Sequence, residues 1–168
     1  SETTTEADKL LNYTASSSKD GDTITVTNTY NAPNTTVNKV EKTGTEKITS
    51  KDDVVTYTID YTATIKDYKG TAIVTVIDQL PFEVDLEKAY NFDGGIYNAE
   101  NKTITWTETI EGIDTFSKAN KEQTISFSKT ISVIFKNMDV TADKFENNVT
   151  ASLKLNETDP IPANPDKH

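Results

Sequence analysis

The chain has 168 residues, of which 34% are hydrophobic, and a formal net charge of −10. An acidic surface of this kind repels phosphate backbones and anionic lipid, so we expect neither nucleic acid nor a membrane surface as a partner. No apolar run is long enough to span a bilayer, so we expect no membrane insertion of this segment. Cysteine and arginine are absent and the one histidine is His168, which excludes disulfides, thiolate metal sites and an internal catalytic histidine, and we predict no cofactor and no metal.

The first 32 residues are predicted to form two short strands joined by a tight turn. Thr23–Tyr30 alternates between apolar and polar side chains, and Asp20-Gly21 just before it is typical of a hairpin turn. Two strands alone do not make a stable domain. We therefore expect residues 1–32 to be the C-terminal strands of a preceding domain or an appendage on the next one.

Residues 35–156 alternate in the same way over several longer runs, with turn residues between them and no amphipathic helix. Seven or so strands with a single tryptophan predict an all-β fold, an immunoglobulin-like β-sandwich of about seven to nine strands. Three prolines in residues 157–168 predict an extended exit linker. The predicted strands are 37–42, 54–65, 72–78, 102–110, 123–135 and 147–155, and the predicted loops are 82–101 and 111–121.

The last predicted strand places an amide on the core face. Successive side chains of a strand point to opposite sides, so Asn147 shares its face with Val149 and Ala151, whereas Asn148 points away. A buried amide needs hydrogen-bond partners or a covalent use. The strand by itself leaves open whether this amide serves a neighbouring loop or a reaction.

Residues 24–30, Ile-Thr-Val-Thr-Asn-Thr-Tyr, resemble the closing strand of collagen-adhesin B-type (Cna-B) domains. In that family the asparagine of the motif bonds to a lysine near the start of the domain, and a glutamate assists. Asn28 matches the asparagine, and Glu6 matches the glutamate loosely. The strand that would carry the lysine is absent, so the resemblance covers only the last part of such a domain.

A second, ordered set of motifs lies between residues 38 and 155: Lys-Thr-Gly, Asp-Asp-Val-Val-Thr-Tyr-Thr-Ile, Val-Ile-Asp-Gln-Leu-Pro, Lys-Thr-Ile-Thr-Trp and Asn-Asn-Val-Thr. This order resembles the A-type isopeptide-forming domains of Gram-positive pilins and surface adhesins, and is similar to the conserved-repeat domains of bacterial surface proteins. One departure is Asp52-Asp53 where the repeat pattern has Gly-Asp. The resemblance implies an extracellular, cell-wall-anchored protein whose neighbouring domains are the partners of this one.

In the pilin family a lysine of the first strand bonds to an asparagine at the start of the last strand. The resemblance implies Asn147 as the asparagine and Lys42 or Lys39 as the lysine. Lys42 is preferred because it shares a phase with Val40 and precedes Thr-Gly, as in the family. Such a bond forms once and persists, so the chain is not an enzyme in the sense of turnover.

The family also uses a buried acid to promote the bond. Asp78 is preferred because it lies in the Asp-Gln-Leu-Pro motif, in phase with the apolar residues of its strand. Glu108 is the alternative because it shares a face with Trp106, and Asp60, on a threonine-rich face, ranks third. A buried carboxyl tends to stay protonated, so it could polarise the amide and carry a proton to the leaving ammonia.

Two functions follow as expectations. The first is a structural stalk or spacer of a cell-surface adhesin or pilin, stabilised by an autocatalytic Lys–Asn isopeptide bond. The alternative is an adhesin module without a crosslink. Its loops at the ends of the sandwich, near residues 91–97 or 111–121, would recognise host or matrix molecules.

Overall fold

The computed structural model describes residues 13–30, 32–116, 119–141, 144–156 and 158–168. The regular secondary structure of these residues consists of β-strands alone, so the all-β prediction is confirmed. The strands are β1 (Tyr13–Asp20), β2 (Thr23–Tyr30), β3 (Asn34–Gly44), β4 (Val55–Lys66), β5 (Lys69–Gln79), β6 (Ile96–Asn98), β7 (Thr103–Asp114), β8 (Glu122–Val133), β9 (Asn148–Leu155), β10 (Ile161–Pro162) and β11 (Asp166–Lys167).

Strands β3 to β11 form the two sheets of a sandwich. The smaller sheet has the order β3-β4-β8, and the larger has the order β10-β9-β5-β7-β6, with β11 also paired to β9. If the short β6 is left out and the strands from β3 to β9 are lettered A to F in chain order, β3, β4 and β8 are strands A, B and E of the smaller sheet. Strands β5 and β9 are then C and F of the larger sheet. This arrangement confirms the predicted immunoglobulin-like sandwich.

Strand β4 illustrates why the sequence forms this fold. Its side chains alternate strictly between buried and partly or fully exposed, with one face made of valine, isoleucine, alanine and two tyrosines and the other mostly of threonine. Burying each large apolar side chain contributes about 1.5–3 kcal/mol relative to exposure. The threonine face pairs with β8 through hydroxyl contacts such as Thr56 with Ser132 at 3.2 Å.

Strand β7 extends four residues past the predicted end at Ile110, into the predicted loop 111–121. A register shift between Gly70 and Ala72 of β5 marks a bulge in the pairing with β7. Gly112, with a φ of 69°, sits at this bulge and allows the backbone to bend. Ile113 consequently returns to the core with 3% of its surface exposed, a change of phase that strict alternation does not anticipate.

The C-terminal segment also differs from the predicted linker. Ile161 and Pro162 pair with β9 opposite Leu153 and Ser152, and Ala163 donates a backbone hydrogen bond to Ala151 at 2.8 Å. Proline is tolerated here because β10 is the edge of the larger sheet, where one side of the strand needs no ladder hydrogen bonds. We call residues 161–168 the C-terminal strap.

The N-terminal hairpin predicted around Asp20-Gly21 is present. Strands β1 and β2 pair in register from Asp20 opposite Thr23 to Tyr13 opposite Tyr30, and Gly21 in the turn has a φ of 57°. The side chains of residues 15–29 are exposed. These side chains of the hairpin therefore contribute nothing to the buried core of the sandwich.

Candidate crosslinking site

Three polar side chains from three different strands lie together inside the sandwich. Lys42 comes from β3, Asp78 from β5 and Asn147 from the residue just before β9, and each is at most 5% exposed. Their burial follows from strand phase, because each alternates in step with apolar core residues of its own strand. Asn148, in the opposite phase, is exposed.

The Asp78 carboxyl bridges the amine and the amide. Lys42 Nζ donates a hydrogen bond to Asp78 Oδ1, and Asn147 Nδ2 donates to Asp78 Oδ2 at 3.4 Å. Asn147 Oδ1 is buried and has no hydrogen-bond partner among the described residues. An amine, a carboxyl group and an amide are thus held close to one another, and fixed placement of this kind removes the entropic cost of bringing reacting groups together.

Burial shifts both ionisable groups toward their neutral forms. Desolvation lowers the pKa of Lys42 from 10.5 to about 8, although the charges of Asp78 and Asp166 act in the opposite direction. Desolvation also raises the pKa of the Asp78 carboxyl, against the effect of Lys42. Burial therefore reduces the preference of the pair for its charged form over its neutral form.

Tyr57 of β4 is a member of the site that the sequence analysis did not single out. Lys42 Nζ lies 4.5 Å from the centroid of its ring, and the Asn147 side chain, acting as a donor toward the Tyr57 hydroxyl, lowers the pKa of that group against the larger effect of burial. A Cβ at Gly44 would meet the ring at 2.5 Å. Gly44 lies two residues after Lys42, on the same face of β3. A glycine at this position is the feature of the sequence that leaves room for the Tyr57 ring next to Lys42.

The C-terminal strap covers the site. The Asp166 carboxylate accepts a 2.7 Å hydrogen bond from the Lys42 backbone N–H, and Asn147 exchanges two backbone hydrogen bonds with His168 at 2.9 and 3.0 Å. The His168 ring meets the edge of Tyr57 at a centroid distance of 6.1 Å. Asn147 therefore precedes β9, which is followed by the short strands β10 and β11 and is not the last strand. The strap formed by this final segment shields the three side chains from water.

The residues considered as alternatives to Lys42 and Asp78 lie outside the buried group. Lys39 is half exposed and pairs with Glu41 at 2.9 Å, in the phase opposite to Lys42. Glu108 pairs with Lys129 at 2.5 Å with 39% of its side chain exposed. Asp60 is exposed on the outer face of β4, so none of the three acids or lysines proposed as alternatives joins the buried group.

Of the two residues predicted from the Cna-B resemblance, only Asn28 is among the described residues. Asn28 is exposed on β2, opposite Ala15 of β1. Glu6 lies outside the described residues. A crosslink at Asn28 stays a prediction.

In the part of the chain that the structure describes, no group of three or more histidine, aspartate or glutamate side chains could hold a metal ion. The same residues contain no helix that is both long and apolar enough to cross a bilayer.

No family model and no curated protein matches the chain. Among solved structures, it is similar to the collagen-binding domain of a Staphylococcus aureus adhesin, with 12% identity, 77% of this chain and 94% of that chain covered, and a TM-score of 0.39. It is also similar to the full-length major pilin SpaD of Corynebacterium diphtheriae, with 19% identity, coverage of 77% and 33%, and a TM-score of 0.48. A third is the D312A form of BcpA, the major pilin subunit of Bacillus cereus, with 14% identity, coverage of 91% and 46%, and a TM-score of 0.38. The chain thus spans a third of one pilin and less than half of the other.

Proposed function

We propose that the chain is a structural module of a bacterial surface adhesin or pilin, in which Lys42 and Asn147 form an intramolecular isopeptide bond promoted by Asp78. The observation that carries the proposal is the buried Asp78 carboxyl hydrogen-bonded to both the amine and the amide. A solitary buried ion pair contributes little stability compared with an apolar core, which favours a chemical use for these groups.

The bond would form by direct attack of the neutral amine. Lys42 Nζ adds to Asn147 Cγ, the Nζ–Cγ bond forms, the Cγ–Nδ2 bond breaks, and ammonia leaves. Asp78 takes a proton from Nζ and supplies one to the departing nitrogen, so it ends in its starting state. The step needs no oxidant, cofactor or metal, and it occurs once per chain.

The position of the bond suits a stalk or spacer. The bond would join β3, the first strand of the sandwich, to the start of β9, which lies near the C-terminal end of the sandwich. Tension applied through neighbouring domains would then be carried by a covalent bond. Location outside the cell and attachment to the cell wall belong to the same proposal. The crosslink constrains the unfolded chain much as a disulfide does, in a chain that has no cysteine.

Intact mass under denaturing conditions tests the proposal. We expect the wild-type chain to weigh less than its sequence by one ammonia, and the Lys42→Ala chain to have the full mass. Lys39→Ala, which changes an exposed lysine of the same strand, is the matched control and should keep the deficit. A wild-type chain of full mass, or a deficit that survives Lys42→Ala, contradicts the proposed bond.

A second candidate function, ligand binding by the loops at the end of the sandwich, is favoured by one observation. Tyr90, Phe92 and Tyr97 form a stacked row with centroid distances of 4.7 and 5.1 Å. Tyr90 at one end is 49% exposed, and Ile96 beside the row is 76% exposed. Exposed aromatic side chains with fixed orientation are frequent anchors of binding surfaces.

Surface binding assays test this second function. Collagen, which the name of the similar Staphylococcus aureus domain gives as its ligand, is the first probe. If the aromatic row is the binding surface, Tyr90→Ala should weaken binding by about fivefold or more, because an aromatic anchor contributes more than about 1 kcal/mol. Phe116→Ala, in the other predicted loop, is the control, and equal losses in both variants would contradict this assignment.

A further inference from the structure

The hydroxyl of Tyr57 has no role in the three-residue chemistry described above, yet it lies beside the amide of Asn147. Tyr57 is 4% exposed, and the Asn147 side chain lies near enough to its hydroxyl to lower the pKa of Tyr57 against the effect of burial. Its ring lies against Lys42 Nζ, 4.5 Å from the ring centroid. One side chain therefore contacts both the nucleophile and the electrophile of the proposed bond.

The orientation of the Asn147 amide suggests what the hydroxyl does. Nδ2 faces Asp78, whereas Oδ1 is buried without a hydrogen-bond partner among the described residues. A half-turn of the amide exchanges its two end atoms, which have nearly the same shape. After this turn Oδ1 lies where a protonated Asp78 and the Tyr57 hydroxyl can both donate to it.

We propose that Tyr57 is a second catalytic residue, whose hydroxyl and the Asp78 carboxyl together form an oxyanion hole for the Asn147 carbonyl oxygen. This inference rests on the proposed isopeptide bond. When Lys42 Nζ adds to Cγ, the oxygen gains negative charge, and two donors already aimed at it stabilise that charge without reorganising. Tyr57 keeps its proton throughout. Asp78 donates to the oxygen during the addition and passes its proton to Nδ2 after Cγ has become tetrahedral, so the balance of the reaction is unchanged.

The surroundings of the hydroxyl fit a donor. Burial raises the pKa of Tyr57 to about 12, so the hydroxyl keeps its proton at neutral pH. The site is closed to water by the strap, and a hydrogen bond to a developing charge is stronger in such a medium than in water. The ring is fixed by its fit against Gly44, where a side chain would clash with it.

The rate of bond formation in Tyr57→Phe tests the inference. Newly synthesised full-length chains from cell-free translation would be quenched in denaturant at successive times, and the fraction lacking one ammonia measured by intact mass. We expect Tyr57→Phe to form the bond about a hundredfold more slowly than the wild type, the usual effect of removing one oxyanion donor. Tyr61→Phe is the matched control, because Tyr61 is buried in the same strand and its hydroxyl donates to Asn38 Oδ1 at 2.8 Å instead.

A stability measurement separates catalysis from folding. In a Lys42→Met background, where no bond can form, Tyr57→Phe should leave the midpoint of thermal unfolding unchanged. A wild-type rate in Tyr57→Phe, or a slow rate accompanied by a clear loss of stability in that background, would overturn the catalytic assignment. If the wild-type chain itself never loses ammonia, the proposed bond fails first, and the inference fails with it.

Discussion

The Asn147→Ala variant is expected to lose about 5 kcal/mol of its free energy of unfolding relative to the crosslinked wild type. The bond would close a loop of about 100 residues between Lys42 and Asn147, and a crosslink of that span restricts the unfolded chain by roughly this amount. For a domain of this size, the loss corresponds to roughly 15–25 °C in the midpoint of thermal unfolding. Calorimetry or circular dichroism on the two proteins measures it directly.

A double variant separates the bond from ordinary contacts. Lys42→Met should lower stability by a similar amount, because it removes the same bond from its other end. Combining Lys42→Met with Asn147→Ala should then cost little more than either change alone, since the bond can be lost only once. Losses that simply add would mean that the two residues are not joined.

Much of the sandwich could be predicted because most of its strands alternate without interruption. The buried face of β4 needs only the period of two. Alternation fails at the bulge beside Gly112, where two residues intervene before Ile113 returns to the core. It also fails for the C-terminal strap, where proline suggests a linker and only the neighbouring β9 shows that an edge is available.

The candidate site could likewise be predicted only in part. Phase within a strand is enough to separate Lys42 from Lys39 and Asn147 from its neighbour, because each pair differs by an odd number of residues. Phase cannot show which buried groups meet across the two sheets, since that depends on how the sheets pack. The position of Tyr57 beside Lys42 could not be predicted for this reason, because along β4 it alternates like any other core residue.

Replacing Asp78 with asparagine should abolish the bond while keeping the shape of the side chain. An amide cannot take a proton from Lys42 or give one to the leaving ammonia, so Asp78→Asn is expected to have the full mass after prolonged incubation. Glu108→Gln, which changes an acid paired with Lys129 at the surface, should retain the deficit. Bond formation in Asp78→Asn together with its loss in Glu108→Gln would instead make Glu108 the promoting acid.

The same variant should acquire a characteristic pH dependence. Without the Asp78 charge, which raises the pKa of Lys42, desolvation remains and the folded-state pKa falls further below 10.5. Between the folded and unfolded pKa values the unfolded chain binds more protons, so stability rises with pH in that window. Urea unfolding of Asp78→Asn should therefore show a higher midpoint at pH 9.5 than at pH 7, whereas Asp78→Asn combined with Lys42→Met should lose this difference. An equal pH response in both proteins would mean that Lys42 is not the buried amine that titrates, and that the site lacks its nucleophile.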